Sequence, residues 1–239
     1  MVNNLNFKNI LFLDIETVPE KAHFTDLSTM KQELFAKKTK YQRKEAFSPS
    51  EFYDRAGIWA EFGKIICISV GFFSSFDKKR SFRLKSFFGD EKKILNEFKN
   101  LLEGHFQEKK YLLCAHNGKE FDFPFIARRM IIHTIKLPEK LNLFGKKPWE
   151  IAHIDTLELW KFGDYKHYTS LSLLTTILNI PSPKDDIDGS EVAKVYYQEK
   201  DMDRIVKYCE KDTLAVAQLL LRFNNLDLLK TNEITCSNS

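Results

Sequence analysis

The sequence predicts an α/β fold built on a mixed five-stranded sheet, three antiparallel strands followed by parallel additions, flanked by helices. Three observations lead there. Short apolar runs at 10–15, 65–73 and 81–88 come early, and none of the later core helices interrupts them, which is the order of an antiparallel meander. Strand and helix patterns then alternate through 91–104, 111–115, 123–133 and 152–155, which adds strands in parallel. Beyond 155 the chain is mostly helical.

Each element has a local reason. The run 10–15 (ILFLDI) is short, nearly continuous and rich in Ile and Leu, the pattern of a buried strand; 65–73 (IICISVGFF) is another. In 81–88, Phe82, Leu84, Ser86 and Phe88 alternate with Ser81, Arg83, Lys85 and Phe87. Ile94, Leu95, Phe98, Leu101 and Leu102 have helical spacing, with Gly104 as a stop. Residues 111–115 form a fourth strand, and the helix over 123–133 tolerates Pro124 in its first turn. Residues 152–155 enter a short helix with Asp155 and Glu158 spaced as a capping box. Helices follow over 170–178, 190–198 and 203–223.

One domain spans 1–229, interrupted by an insertion at about 20–56, and a polar tail at 230–239 is expected to fray. The insertion is rich in Lys, Phe and Tyr and should form helices of its own. Its basic residues Lys37, Lys38, Lys40, Arg43 and Lys44 read either as a solvated helical face or as a track for phosphates. The net charge of +4 describes a mildly basic chain that suits an anionic partner without requiring one. Cys67, Cys114, Cys209 and Cys236 are scattered without zinc spacing, pointing to reduced thiols in a cytoplasmic protein. No signal-peptide pattern or run of ~20 apolar residues predicts a membrane segment.

Three segments hold acids where apolar burial is expected. Asp14 and Glu16, two apart on a strand, project from one face at the end of an apolar run. Such a pair either marks a polar strand end or requires a cation. On the last helix, Tyr208 and Asp212 share the stripe of Ile205, Cys209, Val216, Leu219, Leu220 and Phe223. There Asp212 takes either a tyrosine hydrogen bond, a salt bridge or a metal. Between them, His116–Pro124 (HNGKEFDFP) follows the fourth strand, with Asn117 and Gly118 in a turn. Asp122 is then either an N-cap or a carboxylate at the carboxyl end of a strand, where α/β sheets build sites.

Together the three segments resemble the DEDD exonuclease superfamily, which is RNase H-like in fold, in its tyrosine-containing (DEDDy) branch. Asp14-Ile15-Glu16 is similar to its D-x-E motif, Asn117-x-x-x-Phe121-Asp122 to N-x-x-x-F-D, and Tyr208-x-x-x-Asp212 to Y-x-x-x-D. The sister branch has a His where this chain has Lys207. The phrases FGDY (162–165) and IPSPKDDIDGS (180–190) resemble a standalone PolB-like group. The resemblance covers about 9–223 and implies a 3′–5′ exonuclease using two divalent metal ions, Mg²⁺ or Mn²⁺. It implies that Asp14 bridges the metals, that Glu16 and Asp212 hold the water-activating one, and that Asp122 acts near the other. Tyr208 would orient the attacking water, and Thr17, Asn117 and Phe121 would contact the terminal nucleotides. The implied substrate is the 3′ end of a nucleic acid, single-stranded DNA favoured and RNA open.

Other residues have plainer readings. Asp185, Asp186 and Asp188, near Pro181 and Pro183, form a polar turn and not a calcium loop. Asp155 caps a helix, with a supporting role at the site left open; His116 packs or hydrogen-bonds, and Arg128 and Arg129 read as surface charge. Rival functions are a non-catalytic nucleic-acid-binding module of the same fold, an exoribonuclease, and a small-nucleotide phosphohydrolase.

Overall fold

The computed structural model describes residues 5–44, 46–77, 79–164, 166, 168–181 and 187–237. Tyr165, Pro183, Asp185 and Asp186, named above, lie outside the described residues. The strands are β1 (Ile10–Pro19), β2 (Gly63–Ser75), β3 (Ser81–Phe88), β4 (Leu112–Ala115), β5 (Ile154–Asp155) and β6 (Ile234–Cys236). The α-helices are α1 (Thr29–Arg43), α2 (Glu91–His105), α3 (Asp122–Ile132), α4 (Thr156–Lys161), α5 (Leu171–Ile177), α6 (Val192–Lys194) and α7 (Met202–Phe223).

The sheet order is β5-β4-β1-β2-β3-β6. The β1–β2 and β2–β3 pairs are antiparallel, while β4 and β5 add in parallel on one side. This is the predicted mixed sheet with one strand more. The tail expected to fray supplies the sixth, β6, which pairs in parallel with β3 through Phe82–Ile234 to Leu84–Cys236. Two sets of bonds order it. Arg80 donates through Nε and a terminal nitrogen to the two oxygens of Glu233, both at 3.0 Å, and Gln218 exchanges hydrogen bonds with the backbone of Leu229. A second departure concerns the helix predicted over 190–198. It breaks into the single turn α6 and a π-helical turn at Val195–Glu199, which ends with Lys200 in the left-handed region.

Strand β1 is central and covered on both faces, which explains its continuous apolar run. Leu11, Leu13 and Ile15 face the core beneath α2 and α3 with Ile94, Phe98 and Ile126. Ile10 and Phe12 face α7 through Val216 and Leu220. On β3 the predicted alternation fails at its end: Phe87 joins the α2 side of the core and Phe88 is exposed. No helix among the described residues is long and apolar enough to cross a membrane.

Arg129, expected at the surface, is buried at 6% exposure. Its guanidinium donates to both oxygens of Glu91 at 2.8 and 2.5 Å and to the carbonyl of Ala60 at 2.7 Å. Glu91 also accepts the Ile65 amide at 2.7 Å and contacts His133 at 2.7 Å. One carboxylate therefore ties α2, α3 and the start of β2. Burial raises the Glu91 carboxyl, but Arg129, the Ile65 amide and His133 outweigh it and hold the group below its ordinary value. A depressed acid stabilises the fold above its unfolded value, about 4.3, and that contribution is lost as pH falls through the lower native value. Glu91→Ala, which strands the Arg129 charge, should cost about 3–5 kcal/mol near neutral pH. In urea titrations the gap from wild type should narrow below about pH 4, where the wild-type group takes up its proton.

Candidate active site

The site forms where the α7-facing side of β1 turns from apolar to acidic. Ile10, Phe12, Asp14 and Glu16 share that face by strand alternation. The helix opposite changes in step, from Leu220 and Val216 to Asp212, Cys209 and Tyr208. The β1–β2 register slips at this level, between Glu16 and Thr17, so that Glu16 opposes Cys67 while Thr17 opposes Ile65. A bulge of this kind re-aims side chains at the end of a ladder.

Asp122 arrives from the other direction, on the first turn of α3. It is not the N-cap: Phe121 occupies that position without a side-chain cap, and Asp122 begins the helix with its carboxylate buried. The preceding turn is held by Asp155. One oxygen of Asp155 accepts the Asn117 amide at 3.0 Å and the Leu157 amide at 2.9 Å; the other accepts Lys119 at 3.0 Å. Asp155 thus caps α4 and anchors the second motif with the same carboxylate. Glu158 does not complete a capping box but pairs with Lys119 at 2.7 Å. Asn117 takes φ +62°, which asparagine tolerates. A Cβ on Gly118 would come within 2.4 Å of the Ala115 Cβ, so only glycine fits.

His116 is a hydrogen-bonding residue, between the Thr156 hydroxyl at 2.9 Å and the Thr169 carbonyl at 3.0 Å. Burial lowers it, keeping it neutral. Asp188 sits in a local polar turn, accepting from Ser190.

The four acids act on one another. Asp14 is raised well above its ordinary value by burial, then by Asp212, Glu16 and Asp122. Glu16 is raised by burial and then chiefly by Asp212. Burial pushes Asp122 up to about 8, with Asp155 and Asp212 adding to it against the amide hydrogen bonds of Asp122 and Ile15. Burial and the neighbouring acids are the chief causes that raise these three carboxyls. Tyr208 is hydrogen-bonded to Asp212, and burial, then the acids, push its hydroxyl far above the ordinary range. The structure thus gathers Asp14, Glu16, Asp122, Tyr208 and Asp212 in one place. Thr17 and Asn117 are half-buried beside them, as is Phe121, whose ring leans on Phe125 at 5.3 Å.

Two neighbours carry no motif signal. The Cys209 thiol approaches the Asp14 carboxylate and carbonyl, each at 3.4 Å, and burial raises it. Tyr168, on the exposed loop before α5, lies near enough to Asp122 and Asp155 to be raised by them in addition to burial. Cys209 was visible only as a core residue, and Tyr168 sits in a loop without periodicity.

Ligand atoms of Asp14, Glu16 and Cys209 lie within 4.8 Å of one another. A largely buried set of carboxylates that raise one another fits a divalent metal ion. Carboxylate donors of this kind suit a hard divalent cation.

With this geometry in view, the family is clear. The family model of the RNase_H superfamily matches residues 52–224, and the chain belongs to that superfamily. The match begins after Asp14 and Glu16. Among solved structures, the family B DNA polymerase from the hyperthermophilic archaeon Pyrobaculum calidifontis is similar, with a TM-score of 0.56 and 14% identity. The similarity covers 89% of this chain but only 24% of the polymerase, and at that identity it is a likeness of fold.

Acids clustered this closely cost stability without metal. A carboxyl raised to about 8 binds a proton in the native state that the unfolded chain has released above about 3.9, so the fold weakens as pH rises between those values. In EDTA, Asp122→Asn should therefore be more stable than wild type by about 0.5–2 kcal/mol near pH 8 and no more stable at pH 4. Calorimetry with Mg²⁺ added should reverse the order.

Proposed function

We propose that the chain is a metal-dependent 3′–5′ exonuclease of the tyrosine-containing DEDD type, acting on single-stranded DNA. The observation that carries this reading is the convergence of acids from three distant segments, Asp14 and Glu16, Asp122, and Asp212, with Tyr208 bonded to the last. The family and the polymerase-like fold agree with it.

Asp14, Glu16, Asp122 and Asp212 are the residues to hold the metal ions. When bound, divalent ions supply the Lewis acidity that activates water and stabilises the departing 3′ oxygen. The protein's own groups then have defined tasks. Tyr208, raised by burial and by Asp212, keeps its proton at neutral pH, so it orients the nucleophilic water and does not deprotonate it. Phe121 offers a ring for the terminal base, a sequence-tolerant contact. Asn117 is fixed through its amide on Asp155, and its side chain is the group to contact the same terminal nucleotide. Thr17 flanks the acids at the bulge. Cys209 donates its thiol to Asp14 and holds that carboxylate's orientation.

The test is a time course on 5′-labelled single strands of DNA and RNA with Mg²⁺, Mn²⁺ or EDTA. A metal-dependent ladder shortening from the 3′ end, faster on DNA, is expected, with turnover abolished by Asp14→Ala. Tyr208→Phe should retain measurable activity, reduced by about 10²-fold, because water positioning is lost while the acids remain. Faster shortening of RNA would reassign the substrate; strand binding without shortening under any metal would make the chain a non-catalytic module.

A further inference from the structure

From the distribution of charge and exposed aromatic surface, we infer that α1 is a binding ridge for the single strand outside the catalytic pocket. The strand's phosphates lie along Lys37, Lys40 and Lys44 and a base stacks on Tyr41. The inference rests on the reading of this chain as a nucleic-acid enzyme.

Helix α1 stands almost bare. Of its fifteen residues only Phe35 and Thr39 are buried. Phe35 anchors it in an aromatic cluster with Phe52, Tyr53, Phe62, Phe24 and Trp59. On the opposite side Met30, Leu34, Lys37, Tyr41 and Lys44 recur at steps of four and three, one continuous helical stripe. Tyr41 is 90% exposed, Met30 64% and Leu34 50%. A merely solvated face would not turn three large apolar side chains outward along the line of its lysines.

The charge is concentrated in the same place. Between 29 and 44 the basic residues are Lys31, Lys37, Lys38, Lys40, Arg43 and Lys44 against Glu33 alone, a net +5. The whole chain carries +4, so its entire basic excess sits on this helix. Three of the six are engaged within the protein. Lys31 pairs with Glu20, Lys38 with Glu61 at 3.4 Å, and Arg43 donates to the carbonyls of Ala36 and Phe47. Lys37, Lys40 and Lys44 have no acidic side chain within bonding distance among the described residues. Lys37 lies on the stripe of Tyr41, Lys40 is its neighbour in the chain, and Lys44 caps the helix three residues on.

The helix is also tied to the end of the strand that carries Asp14 and Glu16. Glu20, which holds Lys31, lies four residues beyond Glu16, and its amide donates to the Phe62 carbonyl at 2.7 Å. The hydroxyl of Tyr197 donates to the Pro19 carbonyl at 2.5 Å from the π-helical turn that precedes α7. Lys37 to Lys44 span about 10 Å of helix, enough for more than one phosphate. A protein partner would meet the apolar residues but leave three clustered lysines to be neutralised; a polyanion with exposed bases satisfies both.

Binding measured in EDTA separates this from turnover. Fluorescence anisotropy of 5′-labelled oligothymidylates of four and twenty nucleotides would be followed across salt for wild type, Lys37→Glu/Lys40→Glu/Lys44→Glu and Tyr41→Ala, with thermal melts confirming the fold. The triple variant should lose at least about tenfold in affinity for the long strand, with a salt slope shallower by about 2. Tyr41→Ala should lose about tenfold with the slope unchanged. Wild-type affinity and slope in both variants would overturn the ridge while leaving the exonuclease reading intact. Ridge-dependent binding of a strand that is never shortened in metal would uphold the ridge and overturn the exonuclease. Failure of wild type to bind either strand would overturn the ridge outright.

Discussion

Everything near the centre of this molecule answers to one constraint: carboxylates from three segments are held so close together that, with burial, they raise one another. Such a cluster opposes folding, since like charges and desolvation both favour the neutral acids. It persists because the elements carrying it are fixed by apolar packing elsewhere. Strand β1 is buried on both faces before it reaches Asp14, and beyond Asp212 α7 is seated on the sheet through Val216, Ala217, Leu220 and Leu221. The cores on either side of the sheet are what hold the acids at close quarters.

The other buried acids show how different the site is. Asp155 spreads its charge over the amides of Asn117, Lys119 and Leu157, and Glu91 over a guanidinium and the Ile65 amide. Glu210, two residues from Asp212, accepts from the Ser86 hydroxyl at 2.8 Å. Each is satisfied by the protein, as buried charge ordinarily must be. Asp155 and Glu91 also hold opposite ends of the segment that delivers Asp122: one anchors the turn before α3, the other grips Arg129 near its end. Acids held by amides and a guanidinium thus position one that its acidic neighbours raise.

The parts of this arrangement legible in the sequence are those with local periodicity. Two residues apart on a strand, or four on a helix, set a shared face whatever the rest of the chain does, and the three motifs are such spacings. The first three strands and α7 were readable for the same reason. Long-range pairings were not. Nothing beside Arg129 in the chain shows that its partner is Glu91, so a mid-helix arginine reads as surface charge. The tail looks polar, yet Ile234 and Thr235 are β-branched, and β6 forms because Arg80 and Gln218 bind the segment leading into it. The 190–198 segment has helical composition, but its turn widens to π geometry before Lys200 adopts φ +57°.

The charge on α1 follows from the acids as much as from any ligand. A site built of four carboxylates repels a polynucleotide at the range where encounter begins, and cations placed among them would take the position of the metal. Attraction must then be supplied far enough away not to neutralise the acids, yet near enough to act on the same strand. Screening confines such influence to about 8–10 Å in salt, so a basic surface several turns long can hold the strand while leaving the acids' own field nearly untouched. An insertion joined to β1 just past Glu16, with its own aromatic core and a helix carrying the chain's whole positive excess, is placed in sequence to supply that attraction. Its length is greater than a connection between two strands requires, and the binding ridge inferred for α1 would account for it.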